Sequence, residues 1–268
     1  MAQSSQLLKQ QALELDKQAL WSEACGLAFQ AALLAESLVE RIENLTFGSQ
    51  MLINIGQTTA AKHLLLSIIN ACAKQDNDEI RKACLRTYYH LGWAYSNLGD
   101  YDKARACLKK ALEREDIKWS AKHHLAKVDL EVGIINNNPA LVEKSFREFS
   151  EHNEHFGGNL AHDLRLMARA KGALYVLTDD EKIKQQSKKL YQRTREVFAQ
   201  EKNIYWPSEL AIEEKILLGE KDPMTLLGFQ KFLRSRREKM HADFKEITAE
   251  QRLKYMEKML KEFEAKNL

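Results

Sequence analysis

The stretch richest in side chains that could do chemistry is Glu151-His152-Asn153-Glu154-His155, followed at a short distance by His162-Asp163. His152 and His155 stand one helical turn apart, a spacing that lets two imidazoles address one cation. The order is not HExxH, and Gly157-Gly158 follows directly, where polar side chains are ordinarily solvated, so no metal site is expected. The cysteines Cys25, Cys72, Cys84 and Cys107 form no CxxC pair and recur among apolar residues at helix spacing. They are expected to be small buried side chains, not a disulfide or zinc framework. The chain has no GxSxG elbow and no glycine-rich phosphate loop, and its cysteines lack an evident activating neighbour. The reading is of a non-enzyme with no cofactor.

Charge narrows the partner classes. Residues 1–80 hold 5 Lys+Arg against 9 Asp+Glu, net −4, which leaves 36 against 29, net +7, for residues 81–268. The densest basic run is Lys231-Phe232-Leu233-Arg234-Ser235-Arg236-Arg237-Glu238-Lys239, and Lys182 through Arg195 forms a second. Neither comes with a recognition element or a broad basic face, so both read as solvated helix faces and nucleic acid is not an expected partner. The longest apolar candidates, such as Leu64-Leu65-Leu66-Ser67-Ile68-Ile69, which is soon interrupted by Asn70 and Lys74, fall far below membrane-spanning length. The first residues, MAQSSQLLKQQALELDKQALW, lack the pattern of a secretory leader, and a cytoplasmic protein is expected.

The elements that must position any site are helices. With three prolines and eleven glycines in 268 residues, and 44% hydrophobic content, the composition favours helix nearly throughout and predicts no sheet. Apolar residues recur every three or four positions, as in Leu8, Ala12, Leu15, Ala19 and Leu27, Ala31, Leu34, Leu38. Breaks fall at Gly56-Gln57-Thr58, Gln75 to Asp78, Gly99-Asp100, Asn136 to Pro139, Gly157 to Asn159, Thr178 to Asp180, Trp206 to Ser208 and Gly219 to Pro223. Such short connections imply antiparallel neighbours. After Trp206 helices are expected at 208–218, 224–239 and 249–266, the last opened by a Thr248/Gln251 capping box.

One stretch is more specific. In LGWAYSNLGDYDKARACLKKALE, Leu91 to Glu113, the residues Tyr88, Leu91, Gly92 and Tyr95 share a face of one helix; Gly99-Asp100 closes it, and Ala104, Leu108 and Ala111 face it from the next. Residues 85–118 thereby resemble the tetratricopeptide repeat, with Tyr88 where the family favours Trp and Asp116 where it favours Pro. Residues 5–38 and 42–75 resemble the same unit in degenerate form, Trp119 to Phe149 reads as another pair, and Leu160 to Phe198 as a longer one in which Gly172 and Tyr175 echo Gly92 and Tyr95. The resemblance implies an all-α, right-handed superhelical solenoid of antiparallel helix pairs. Its repeats would occupy residues 1–205, and atypical helices with a charged C-terminal cap residues 206–268.

In that family the first helix of each pair lines the concave side. In this register Arg86, Tyr89, Trp93, Ser96 and Asn97 are the groove candidates, joined by Lys9, Leu13, Asp16, Glu43, Gln50, Asn54, His123, Lys127 and Arg169. The strongest set is Arg86, Tyr89, Trp93, Asn97, His123 and Lys127, suited to a protein or peptide ligand with acidic and apolar side chains. Lys9, Gln50 and Arg86 partly resemble the family's clamp for a chaperone's C-terminal carboxylate, but Leu13, Gln50 and His90 depart from it, so that capture is not expected. The expected function is a protein-interaction scaffold or adaptor, the alternative a sensor or regulator with output through the C-terminal helices. Phe229, Phe232, Leu233, Met256 and Met259 could cap the stack within the chain or pair with a second copy.

Overall fold

The computed structural model describes residues 4–267. They form fourteen α-helices and no strand: α1 (Ser5–Lys17), α2 (Trp21–Leu33), α3 (Leu38–Asn54), α4 (Thr58–Cys72), α5 (Asp78–Leu98), α6 (Tyr101–Ala111), α7 (Lys118–Ile135), α8 (Pro139–His155), α9 (Ala161–Thr178), α10 (Glu181–Gln200), α11 (Trp206–Glu214), α12 (Pro223–Arg234), α13 (Arg237–Lys245) and α14 (Ala249–Asn267). No helix among the described residues is long and apolar enough to cross a membrane. Two compact units result: residues up to Leu125 together with Arg234–Lys239, and Ala126–Leu233 together with the residues from Met240 onward.

In the first unit the hairpins α1/α2, α3/α4 and α5/α6 follow one another, and α3 lies against both α2 and α5. Helix ends follow local chemistry. Ser4, Ser37, Asn77 and Asp100 each accept a backbone N–H with their side chains at the starts of α1, α3, α5 and α6, which satisfies donors that the first turn cannot pair internally. Gly99 ends α5 in the left-handed conformation at φ 84°, where glycine meets no side-chain penalty. The pairing of α5 with α6 is close: a Cβ on Gly92 would stand 2.6 Å from Leu108 Cγ and 3.1 Å from the Ala104 carbonyl oxygen. Between hairpins, a buried hydroxyl pair joins Thr46 to Thr87 at 2.9 Å, and Ser5 bridges the Ala31 carbonyl and the Asn44 amide. All four cysteines are buried free thiols in this unit. Burial pushes Cys25 and Cys107 up to about 11 and Cys84 up to about 12.

The segment Arg234–Lys239 completes the unit. Leu20, which precedes helix α2, gives it no side-chain cap, and Glu238 supplies one: its carboxylate accepts the Ser22 N–H at 2.8 Å and the Ser22 hydroxyl at 2.6 Å across 216 residues of sequence. Gly56, at φ 85°, makes room for this segment, since a Cβ there would meet the Ser235 Cα at 2.7 Å. The single helix expected over 224–239 is therefore two, α12 and α13, broken at Ser235-Arg236 where the chain packs on the first unit.

In the second unit α9 is the central helix, every residue from Leu164 to Tyr175 being buried. It packs on α8 and α10, with Phe149, Leu166, Tyr191 and Phe198 in one apolar cluster. A second cluster gathers Ile216, Phe229, Leu233, Met240, Phe244, Met256 and Met259. The aromatic and methionine face of the last helices is thus spent inside the chain, with Phe263 filling the space over Gly228, and it offers no support for pairing with a second copy. Helix α11 starts two residues earlier than expected because the Asn203 side chain accepts the Tyr205 and Trp206 N–H groups, and it runs on into a π-helical turn at Lys215–Glu220. The Thr248/Gln251 capping box forms as expected, at 3.3 and 2.8 Å.

Candidate functional site

Helix α5 carries four of the six strongest candidates, Arg86, Tyr89, Trp93 and Asn97, at offsets of three and four that place them along one side, and all four are half-buried. The opposite side is committed: Leu91 and Ala94 sit in the core shared with Leu65 and Cys107. Tyr89 also touches the apolar cluster of Ala111, Ile117 and Ala121, so part of its ring serves packing.

The ring cluster is well defined. Tyr89 Oη lies 3.1 Å from His124 Nδ1, and the two rings meet edge to face at 5.0 Å. Trp93 lies 5.5 Å from His124 and 6.2 Å from His90. His124 is the histidine that meets Tyr89, and the groove candidate His123 stands one residue, about 100° around the helix, from it. His123 is half-buried with its ring 5.7 Å from that of His124, and Lys127 is half-buried in the second unit. Burial raises the Tyr89 hydroxyl above its ordinary range, so it remains a neutral hydroxyl. His90 is held down to about 3, first by burial and then by the positive charge of Arg86, and its Nδ1 has no hydrogen-bond partner among the described residues.

The polar ends of this face differ. Arg86 Nη2 donates to Asp116 Oδ2 at 2.8 Å, while Arg114 Nε donates to Asp116 Oδ1 at 2.6 Å. Asp116 is held below the usual carboxylate range by Arg114 first and Arg86 second. The residue that replaces the family's proline thus fixes a candidate arginine, a role that only the spatial return of the turn at Glu115–Ile117 reveals. At the other end the Asn97 carbonyl accepts from Arg234 at 3.4 Å, and its side-chain Oδ1 is buried without a partner among the described residues.

Elsewhere the expectations divide. Ser96 is buried, whereas Lys9 and Glu43 form a half-exposed ion pair at 2.9 Å; Leu13 is exposed, and Asp16, Gln50 and Asn54 are half-buried. Arg169 is no groove residue: it is buried at 4% exposure and donates to both oxygens of Glu213 at 3.0 and 2.8 Å. Arg165 completes this buried network through Glu209 and Glu213. The histidine-rich stretch separates. His152 Nδ1 lies 2.6 Å from the buried Asp163 carboxylate, His155 lies against Phe156, and His162 against Trp206. A groove of about 520 Å³ opens beside α1 and α2, lined by Leu7, Leu15, Leu27 and the polar Gln10, Gln11 and Glu14.

Residues 85–116 match the sequence model of the tetratricopeptide repeat, so α5, α6 and the turn after them form one such repeat. A Rap protein complexed with competence and sporulation factor has a similar fold, with 15% identity over 97% of this chain and 76% of that one and a TM-score of 0.59. The Rap conjugation gene regulator of the plasmid pLS20, in complex with the Phr* peptide, is similar at 13% identity over 97% of this chain and 74% of that one, with a TM-score of 0.60. No curated protein matches the sequence. The fold is all-α and of the tetratricopeptide-like helix-pair type.

Proposed function

We propose that this protein is a non-catalytic interaction module that takes a peptide or helix of a partner on the α5 face, with Tyr89 and Trp93 as anchors and Arg86 and Asn97 as polar contacts. The observation that carries this reading is the ring cluster of the half-buried Tyr89, Trp93 and His124 around the buried His90. Rings already fixed by packing lose little freedom on binding, so a few contacts suffice to hold a flexible ligand. The complex of one Rap neighbour with competence and sporulation factor and that of the other with the Phr* peptide support the same reading. Four free thiols agree with a reducing, cytoplasmic setting.

The test is to pan a displayed peptide library on the wild-type protein and measure the selected peptides against Tyr89→Ala/Trp93→Ala, with circular dichroism as the folding control. Loss of two aromatic anchors is expected to weaken binding by about a hundredfold. Equal affinity for the folded variant would overturn the α5 assignment.

A regulator is the second reading, favoured by the likeness to a conjugation gene regulator over 97% of this chain, C-terminal helices included. It expects hydrogen exchange in the helices after residue 206 to change when an α5-dependent peptide binds. Protection confined to the peptide's contact residues would return the module to simple scaffolding.

A further inference from the structure

The large apolar side chains left in water are unevenly placed. Ten are exposed among the described residues, and five of them, Leu7, Leu13, Leu33, Leu34 and Leu38, fall between residues 7 and 38. The rest are single residues scattered along the chain, as is ordinary for a protein surface. Four of the five leucines meet at one end of the first helix pair. Ser5 donates to the Ala31 carbonyl at 2.9 Å and accepts from the Asn44 amide at 3.1 Å, which sets the start of α1 beside the last turn of α2 and the first half of α3. Leu7 stands two residues beyond Ser5, Leu33 and Leu34 close α2, and Leu38 opens α3. Leu33 is 80% exposed, Leu34 50% and Leu7 45%.

The groove of about 520 Å³ extends from Leu7 along α1, with Leu15 and Leu27 as its further apolar lining and Gln11 and Glu14 on its rim. Leu34 lies seven residues from Leu27, two turns on along the same face of α2, so the apolar stripe continues out to the exposed end. The second repeat unit shows what this side of a helix pair accommodates. Trp21 and Thr58 open α2 and α4 at matching places in the two units, and in that frame Gln11 and Glu14 match Gly48 and Met51. Those two residues of α3 receive a helix: Gly48 lies against the Phe29 ring and its carbonyl accepts from the Cys25 thiol at 3.5 Å, while Met51 packs with Trp21 and Cys25 of α2. The matching side of α1 is the groove.

We propose that this groove docks an amphipathic helix of a partner protein, about three turns long, with aliphatic side chains on its inner face and Lys or Arg toward its ends. Charge complementarity selects this occupant. Glu23, one turn before Leu27 on the same face of α2, stands at one end, Glu36 stands beyond Leu34 at the other, and both are exposed. The nearby Lys9 and Lys17 are already paired with Glu43 and Glu14. Residues 1–43 hold 3 Lys+Arg against 6 Asp+Glu, net −3. That charge repels nucleic acid and anionic lipid, and a second copy applied face to face would set one acidic helix pair on another. From Glu23 to Leu34 the helix rises about 16 Å at ~1.5 Å per residue, the length of about three turns of a docked helix. The surface shares no residue with the α5 proposal.

The experiment uses the full chain and a fluorescein-labelled amphipathic helical peptide of leucine and lysine, about 14 residues long, read by fluorescence anisotropy. Binding is expected, and the same pattern built from leucine and glutamate should bind about tenfold more weakly or worse. Leu7→Lys/Leu34→Lys, at two exposed positions, should weaken the leucine-lysine peptide by about tenfold or more. Ile204→Lys/Met224→Lys, which adds the same charge at exposed apolar positions elsewhere, and Tyr89→Ala/Trp93→Ala should each change it by less than about twofold. Circular dichroism melts check that the variants are folded. No binding, equal binding of the glutamate peptide, or equal loss in the two lysine variants overturns the proposal, and loss in Tyr89→Ala/Trp93→Ala would move the peptide to α5. Sedimentation of the wild type as a dimer that Leu7→Lys/Leu34→Lys dissociates would overturn it too, assigning the groove to a second copy, and flotation with phosphatidylcholine vesicles lost in the same variant would assign it to a membrane.

Discussion

His90 shows how a single buried group sets a pH limit. It stands beside the candidate Arg86, and burial together with that guanidinium keeps it neutral down to about 3, against an ordinary value of 6.5. In the unfolded chain the imidazole takes a proton near 6.5, whereas in the native state it does not until about 3. The depressed value means that folding becomes less favourable as pH falls from 6.5 toward 3, and that this contribution is intact above 6.5. Between pH 7 and pH 5 the loss amounts to about 2 kcal/mol. Urea titrations at the two pH values should show this difference for the wild type, and His90→Asn should remove most of it. An unchanged pH dependence in the variant would place the effect on another group.

At the scale of the element, glycine position decides sign. Gly92→Ala drives a Cβ to 2.6 Å from Leu108 Cγ and should destabilise the protein by about 1–3 kcal/mol through overpacking. Gly26→Ala, in α2, meets nothing within 4 Å and should stabilise by up to ~1 kcal/mol by the ordinary helix preference. Denaturant midpoints of the two variants should move in opposite directions. The close approach at Gly92 was legible because a repeat unit writes it locally: Gly, the Gly99-Asp100 turn and the alanines of the facing helix all lie within one short stretch. The break at Ser235-Arg236 was not legible, since its sequence continues a helical pattern and its cause, packing at Gly56 and on the start of α2, comes from residues far away in the chain. The same holds for the site. Tyr89 and Trp93 are visible from their spacing, but the His124 partner needed a register finer than periodicity gives. Arg169 looked like a groove residue because a sequence does not show that Glu213 will meet it.

For the molecule as a whole, the second unit depends on charges kept from water. Burial alone would raise the Glu213 carboxyl, but Arg165 and then Arg169 outweigh it and hold it down to about 2. Its stabilising contribution is present above the ordinary value of 4.5 and is lost as pH falls toward 2. Glu213→Gln leaves two buried guanidiniums without their shared counter-charge and should cost about 3–5 kcal/mol. Hydrogen exchange should locate the loosening in α9 and α11, and a variant as stable as the wild type would show that the network contributes little. The first unit has a different dependence, and it concerns time. Its α2 start is capped by Glu238, 216 residues beyond Ser22. On a translating ribosome the hairpins up to α6 can form as they emerge, one neighbour at a time. The closing clasp cannot, because the residues that make it are synthesised only after Ala126–Leu233 of the second unit. The N-terminal unit is the first to be started, and it waits on the second for its last residues.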